Sequence, residues 1–163
     1  MDEHVYLMAQ FQYLEFETQI FPSSETVLIE CEKWISEKEG DTLRGISLSK
    51  NPDSKIGIVK AWETHREGIL EEVSQWRSGK RTNLAFLKDD FEKMNPLERE
   101  IHLLKIHWEW LNERTMAAET NIDFSYLVLY LLRVKILEHK RKFNAECGMM
   151  HFKKYNHASW GGE

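Results

Sequence analysis

The segment RVKILEHKRKFNAECGMMH, Arg133 to His151, concentrates the side chains of this chain that are capable of chemistry. It holds Arg133 with His139 six positions on, a basic run from Lys140 to Lys142, and Cys147 with His151 four positions on. The last pair shares a helical face if the helix continues through Gly148, a geometry that suits two ligands of a metal ion. Two ligands are not a site, and His139 and His157 could join them only through bends that the sequence does not announce. Cys147 also continues the stripe Leu132, Ile136, Phe143, as a small buried hydrophobe would. A carboxylate-bridged di-metal centre needs Glu-x-x-His pairs on facing helices. Instead Glu100 stands two before His102, Glu63 two before His65, and Glu138 directly beside His139. His102 and His107, five apart, share a face poorly, and His107 beside Trp108 reads as packed or half-exposed. No metal is expected.

The spacing of Arg133 and His139 resembles the Arg, four to six residues, His signature of the HEPN family of small helical bundles, many of which are metal-independent ribonucleases. The resemblance covers Arg133 to His139 and a fold class. It implies that Arg133 would stabilise a developing phosphorane charge and that His139 would move a proton. The polar residue that usually follows the family's Arg is here Val134. Six positions along a continuous helix turn through about 600°, which leaves the two side chains roughly 120° apart. Convergence within one helix is therefore not expected.

Other patterns are weaker. Ser47 to Lys50, SLSK, matches the Ser-x-x-Lys pattern of penicillin-recognising enzymes, but neither a Ser-Asp-Asn nor a Lys-Thr-Gly partner occurs. There is no GxxxxGK[ST] or GxGxxG loop to cradle a phosphate, so no nucleotide or other cofactor is expected. The basic groups EHKRKF and HFKKYNH interleave with Phe143, Phe152, Tyr155 and Trp160. That mixture could hold a nucleic-acid backbone while rings stack on bases; in an acidic chain a solvated tail helix is the stronger reading.

The elements that must position these groups are helical. Pro22, Pro52 and Pro96 each sit in a polar dip between apolar segments and mark joints. After the first, Ser23 and Ser24 are N-cap candidates, Leu28, Cys31 and Ile35 form a stripe, and Gly40 is the predicted stop. After the third, Asn95 caps, Pro96 takes the first helical position and Glu98 completes a capping box. The stripe Leu97, Ile101, Leu104, Trp108, Leu111 then steps by three and four, as does Leu84, Leu87, Phe91, Met94 before it. From Phe124 to Phe143 almost every face is apolar, the mark of a central helix packed on several sides. The N-terminal segment VYLMAQFQYLEFETQIF is predicted as helix, although QFQYLEFE also alternates as a strand would. Val59, Trp62, Ile69, Val73 and Trp76 form a further seam, and a β-hairpin around KNPDS could occupy 43–60. Gly40 to Asp53 reads as a long connection and a candidate contact surface. The expectation is all-α: one domain over 1–163, a bundle of about five to six helices around the central helix 124–143.

Composition bounds the rest. The chain has 163 residues, 42% hydrophobic and 30% charged, with six Trp and eight Phe, which is the make-up of a folded globular domain rather than of disorder. No segment reads as a secretory signal or a membrane span. Cys31 and Cys147 are too few for a disulfide framework, so a reducing cytosol is the expected compartment. The net charge of −5 is uneven: residues 1–40 carry nine Asp/Glu against two Lys/Arg, and residues 133–163 carry seven Lys/Arg against three Asp/Glu. Such ends either pair inside the fold or face charged partners, and internal pairing is favoured. With no chemistry written in the residues, the function expected is stoichiometric docking on a protein partner, a basic toxin or nuclease for example. An immunity, inhibitor or adaptor protein works in this way. On this reading Glu15, Glu17, Glu30, Glu37 and Glu39 supply a negative field, and Arg44 and Lys50 on the 40–53 connection orient the contact. A homodimer is compatible with the surplus of apolar helical faces.

Overall fold

The structure, a computed structural model, describes residues 3–81, 83–118 and 123–161, with the backbone alone for residues 3, 89 and 144–161. Six α-helices and one 3₁₀ turn make up its regular elements, and no strand occurs among the described residues. In chain order the helices are α1 (Glu3–Ala9), α2 (Ser24–Glu32), α3 (Glu37–Gly45), α4 (Gly57–Arg77), α5 (Pro96–Ala118) and α6 (Phe124–Gly161), with the 3₁₀ turn at Asp89–Lys93. The all-α expectation is met.

α6 is the axis of the fold. Leu127 to Val134 are all buried, followed by Ile136 and Leu137, so this stretch has no solvent face. α5 lies along it, and Leu104, Trp108 and Leu111 bury the stripe that the sequence predicts. The capping box forms as expected: Asn95 Oδ1 accepts from the Glu98 N–H at 2.8 Å and Glu98 Oε2 from the Asn95 N–H at 3.1 Å.

Four expectations are corrected. The helix predicted to run to Gly40 is two helices, and Gly40 lies inside α3, not at a helix end. An N-cap at Ser36 breaks it: Ser36 Oγ accepts from the Glu39 N–H at 3.2 Å and donates to Glu39 Oε1 at 3.1 Å, restarting the helix. Trp34, in the break, packs against Tyr6 of α1 with ring centroids 4.9 Å apart.

The N-terminal helix ends at Ala9, and from there to Pro22 the backbone is irregular. In this segment the period of two wins, with Leu14 and Phe16 buried and Tyr13, Glu15 and Glu17 exposed. Carbonyls that a helix would have satisfied are met by α6: Tyr130 Oη donates to Gln12 O at 2.8 Å, Lys140 Nζ to Phe16 O at 2.7 Å and Arg141 to Gln19 O at 3.0 Å.

The hairpin at 43–60 does not form. Asn51, 5% exposed, does locally what a partner strand would do: its Oδ1 accepts from the Ser47 N–H at 2.8 Å, and its amide nitrogen donates to Ser47 O at 2.8 Å and to Glu63 Oε1 at 2.9 Å. The connection is therefore shorter than predicted and lies between Gly45 and Gly57.

Leu84, Leu87, Phe91 and Met94 do not share a helix, although all four pack into a small cluster with Ile69 and Val73 at the far end of α4. The Glu72 carboxylate takes the N–H groups of Ala85, Phe86 and Leu87, with Phe86 N at 2.8 Å, and so competes with helix formation in this stretch. Glu72→Ala removes the acceptor of all three donors. Its expected cost is about 2 kcal/mol, and limited proteolysis should cut within 78–88 faster than in wild type; unchanged cleavage would show that the apolar cluster alone holds the segment.

Candidate functional site

α6 carries Arg133 and His139 to different places. Arg133 is 4% exposed, with its guanidinium 5.4 Å from the Tyr130 ring and 5.9 Å from the Trp108 ring. It lines a cavity of about 290 Å³ together with Tyr13, Met116 and Tyr126. His139 is exposed, sits edge-on to Phe143 at 4.8 Å, and lines cavities shared with α4, α5 and the connection after α3. The two residues thus open into separate cavities of one chain, as their angular separation along α6 dictates.

The ionisable groups that do meet are His65 of α4 and His107 of α5, whose ring nitrogens Nε2 and Nδ1 are 3.1 Å apart. His65 stacks on Trp110 at 4.7 Å and 16°, meets Phe86 edge-on at 5.7 Å, and both imidazoles contact Trp62. Burial lowers His65 to about 4, with Arg114 adding to the effect. His107 is likewise brought down to about 4 by burial, then by His65 and Arg66. Two imidazoles held this low are neutral at physiological pH, so one donates and the other accepts in their shared bond. A strongly perturbed pair beside a cavity has the properties of a functional site.

Sequence reasoning weighed His65 only against Glu63 as a metal-ligand pair and read His107 as packed or half-exposed. A partial signal existed, because Trp62, His65, Ile69 and Val73 step by three and four along the buried face of α4. Nothing in the sequence pairs two histidines 42 positions apart.

Of the five acidic residues expected to form a negative field, Glu15, Glu17 and Glu37 are exposed. Glu30 is bound to Lys33 at 2.8 Å, and Glu39 is engaged by Ser36 and by His4 at 3.2 Å. Arg44 is not on a connection: it lies in the last turn of α3 and is tied to Glu32 and, at 3.9 Å, to Glu25. Lys50 is exposed and lines a cavity of about 630 Å³ with Asp53, Lys60 and Glu67. The acidic and basic ends of the chain do pack together, but through the carbonyls that Lys140 and Arg141 meet. Lys140 and Arg141 also lie over the rings of Phe16 and Phe21 at 4.0 and 4.1 Å.

Within SLSK, Ser47 Oγ is hydrogen-bonded to Ser49 Oγ at 2.6 Å, and Lys50 lines a different cavity from Ser47. Among the described residues no group of three His, Cys, Asp or Glu is placed to hold a metal ion. The side chains of Cys147, His151 and His157, and those of HFKKYNH, lie outside the described residues. Cys31 is buried and its thiol is pushed up to about 12 by that burial and by Glu30 and Glu32, which disfavours the nucleophilic thiolate at neutral pH. No helix among the described residues is long and apolar enough to cross a membrane. No family model, no curated protein and no solved structure matches this chain.

Proposed function

We propose that the chain is a non-enzymatic protein of a reducing cytosol that docks stoichiometrically on a basic protein partner, in the manner of an immunity, inhibitor or adaptor protein. One observation supports this reading above the others. Lys140 and Arg141 of α6 engage the backbone of the acidic N-terminal segment, while the carboxylates of Glu15, Glu17 and Glu37 are exposed, Glu17 with the Lys140 charge nearby and Glu15 and Glu37 facing solvent, where they offer negative charge to an approaching cation.

Tyr6, 45% exposed, leans on Trp34 above the α2–α3 break, and α1 also reaches Glu39 there. An exposed aromatic side chain of this kind suits an anchor for a partner that a negative field steers. Val5 and Ile29, 39% and 47% exposed, add apolar surface on α1 and α2.

The test is affinity capture from the source cell at low and high salt, with wild type and with Glu15→Lys, Glu17→Lys, Glu37→Lys combined. A basic protein retained at low salt, released at high salt and held by the variant about tenfold more weakly or worse is the expected result. Identical capture by wild type and variant overturns the proposal.

A further inference from the structure

α4, α5 and α6 leave a groove between them beyond Trp62. Its walls are Ile69, Leu70 and Val73 of α4, Leu103 and Leu104 of α5, and Ile136 of α6, around a cavity of about 340 Å³. Leu70 is 54% exposed on this groove, an apolar side chain that lines a cavity without closing it. The volume lies within the range of small-molecule sites, about 300–1,000 Å³.

At Leu48 and His139 this cavity adjoins a second one of about 480 Å³ with different chemistry. Its walls include Ser47 and Ser49 from the connection after α3 and Lys135, Glu138 and Lys142 from α6. Lys135, His139 and Lys142 are spaced i, i+4, i+7 and share one face of α6, next to the stripe that turns Ile136 toward the apolar half. The one carboxylate of this mouth, Glu138, accepts from the Ser24 N–H at 2.8 Å, at the start of α2. At the opposite end Arg77 and Glu100 carry opposite charges. The groove therefore runs from a charge-balanced end, along an apolar floor, to a mouth with two ammonium groups against one engaged carboxylate.

We propose that this groove binds a small amphiphilic anion, with an aliphatic chain along the Leu70–Ile136 walls and a phosphate or carboxylate head between Lys135 and Lys142. Apolar surface removed from water supplies the affinity, and charge-assisted hydrogen bonds from the lysines, with hydroxyls of Ser47 and Ser49 beside them, orient the head. A neutral chain leaves the ammonium groups without their counter-charge, and a bare anion leaves the apolar walls wet. The site shares no residue with the acidic surface above, and the two proposals stand or fall separately.

Calorimetric titration of the full chain tests it, with decyl phosphate and decanoate below their micellar concentrations, and inorganic phosphate and decanol for comparison. Saturable one-to-one binding of at least one amphiphilic anion is expected, with inorganic phosphate and decanol each about tenfold weaker or worse. The tighter of the two anions assigns the head group. Lys135→Glu with Lys142→Glu, and separately Leu70→Glu, each weaken binding about tenfold or more while the helical circular dichroism is kept. All three residues lie wholly or partly at the surface, and Lys142→Glu alone serves if a fold is disturbed. Absence of saturable binding by either anion overturns the proposal. So does inorganic phosphate or decanol binding as tightly as the amphiphile, or wild-type affinity in the lysine and Leu70 variants.

Discussion

Acidification from about pH 7 to about pH 4 is expected to remove several kcal/mol of stability through His65 and His107 alone. Both are lowered in the folded chain to about 4 from an ordinary value of 6.5. Above 6.5 the imidazoles are neutral folded and unfolded, and their full contribution is present. As pH falls below 6.5 the unfolded chain takes up protons that the folded chain refuses, so stability declines until about 4, where the folded pair protonates as well. A depression of this size corresponds to about 3 kcal/mol for one imidazole, and because the two rings share a bond the pair loses less than twice that. The penalty has a local cause. The bond of 3.1 Å between the rings needs one bare nitrogen, and a proton on both sides sets two N–H groups against each other. The neighbouring guanidiniums of Arg114, over Trp110 at 4.8 Å, and of Arg66, paired with Glu63 at 3.0 Å, oppose added positive charge. Urea midpoints at about pH 7.5, about 5.5 and about 4.5 for wild type and for His65→Phe with His107→Phe check this. The variant should show a shallower decline, leaving only the part that carboxylates contribute, Glu63 among them. Parallel curves for the two proteins would mean that the pair is not what acid attacks.

Trp62→Ala is expected to be the most damaging single core truncation, costing about 3–5 kcal/mol. A typical domain has only about 5–15 kcal/mol in total. Trp62 is 1% exposed, and its ring contacts both imidazoles, with centroids 5.8 and 5.2 Å away, and Trp110 at 5.9 Å. Deleting it leaves a void between α4 and α5 and lets water reach the pair. A second readout therefore separates this from an ordinary cavity mutation: the His65 and His107 titrations, followed by NMR, should move up from about 4 toward 6.5. Trp62→Phe should cost much less, because it keeps most of the ring contact and removes an indole N–H that has no hydrogen-bond partner among the described residues. Unmoved histidine titrations in the alanine variant would show that other groups keep the pair dry.

How much was legible depended on the range of the interaction. Asn95, Pro96 and Glu98 announce the start of α5 because a cap is made by residues three apart. The burial of 127–137 was legible because a helix apolar on all faces has no solvent side to offer. The split at Trp34 was less so: Ser36 caps α3 through the Glu39 N–H, but the apolar stripe Leu28, Cys31, Ile35 runs through Trp34 and up to that cap. The extended run after Ala9 was ambiguous by construction, since Gln12, Glu15 and Gln19 suit a helix while Leu14 and Phe16 suit alternation. Tyr130, Lys140 and Arg141, more than a hundred positions away, decided it by supplying donors to its carbonyls.

The candidate sites divide in the same way. Arg133 and His139 sit on one helix, so their divergence followed from 3.6 residues per turn before any packing was known. His65 and His107 are brought together by the packing of α4 against α5, and Lys135, Lys142 and Leu70 become one groove only when three helices and a connection are in place. The sequence by itself determined that this protein is helical, where α2 and α5 begin, which helix is central, and that its charge is segregated, because each of these is set by neighbours within a turn or two or by composition. Tertiary structure alone decided which polar groups meet, which are dried and so stripped of charge, and where cavities remain, because burial and pairing are properties of contacts between elements distant in the chain.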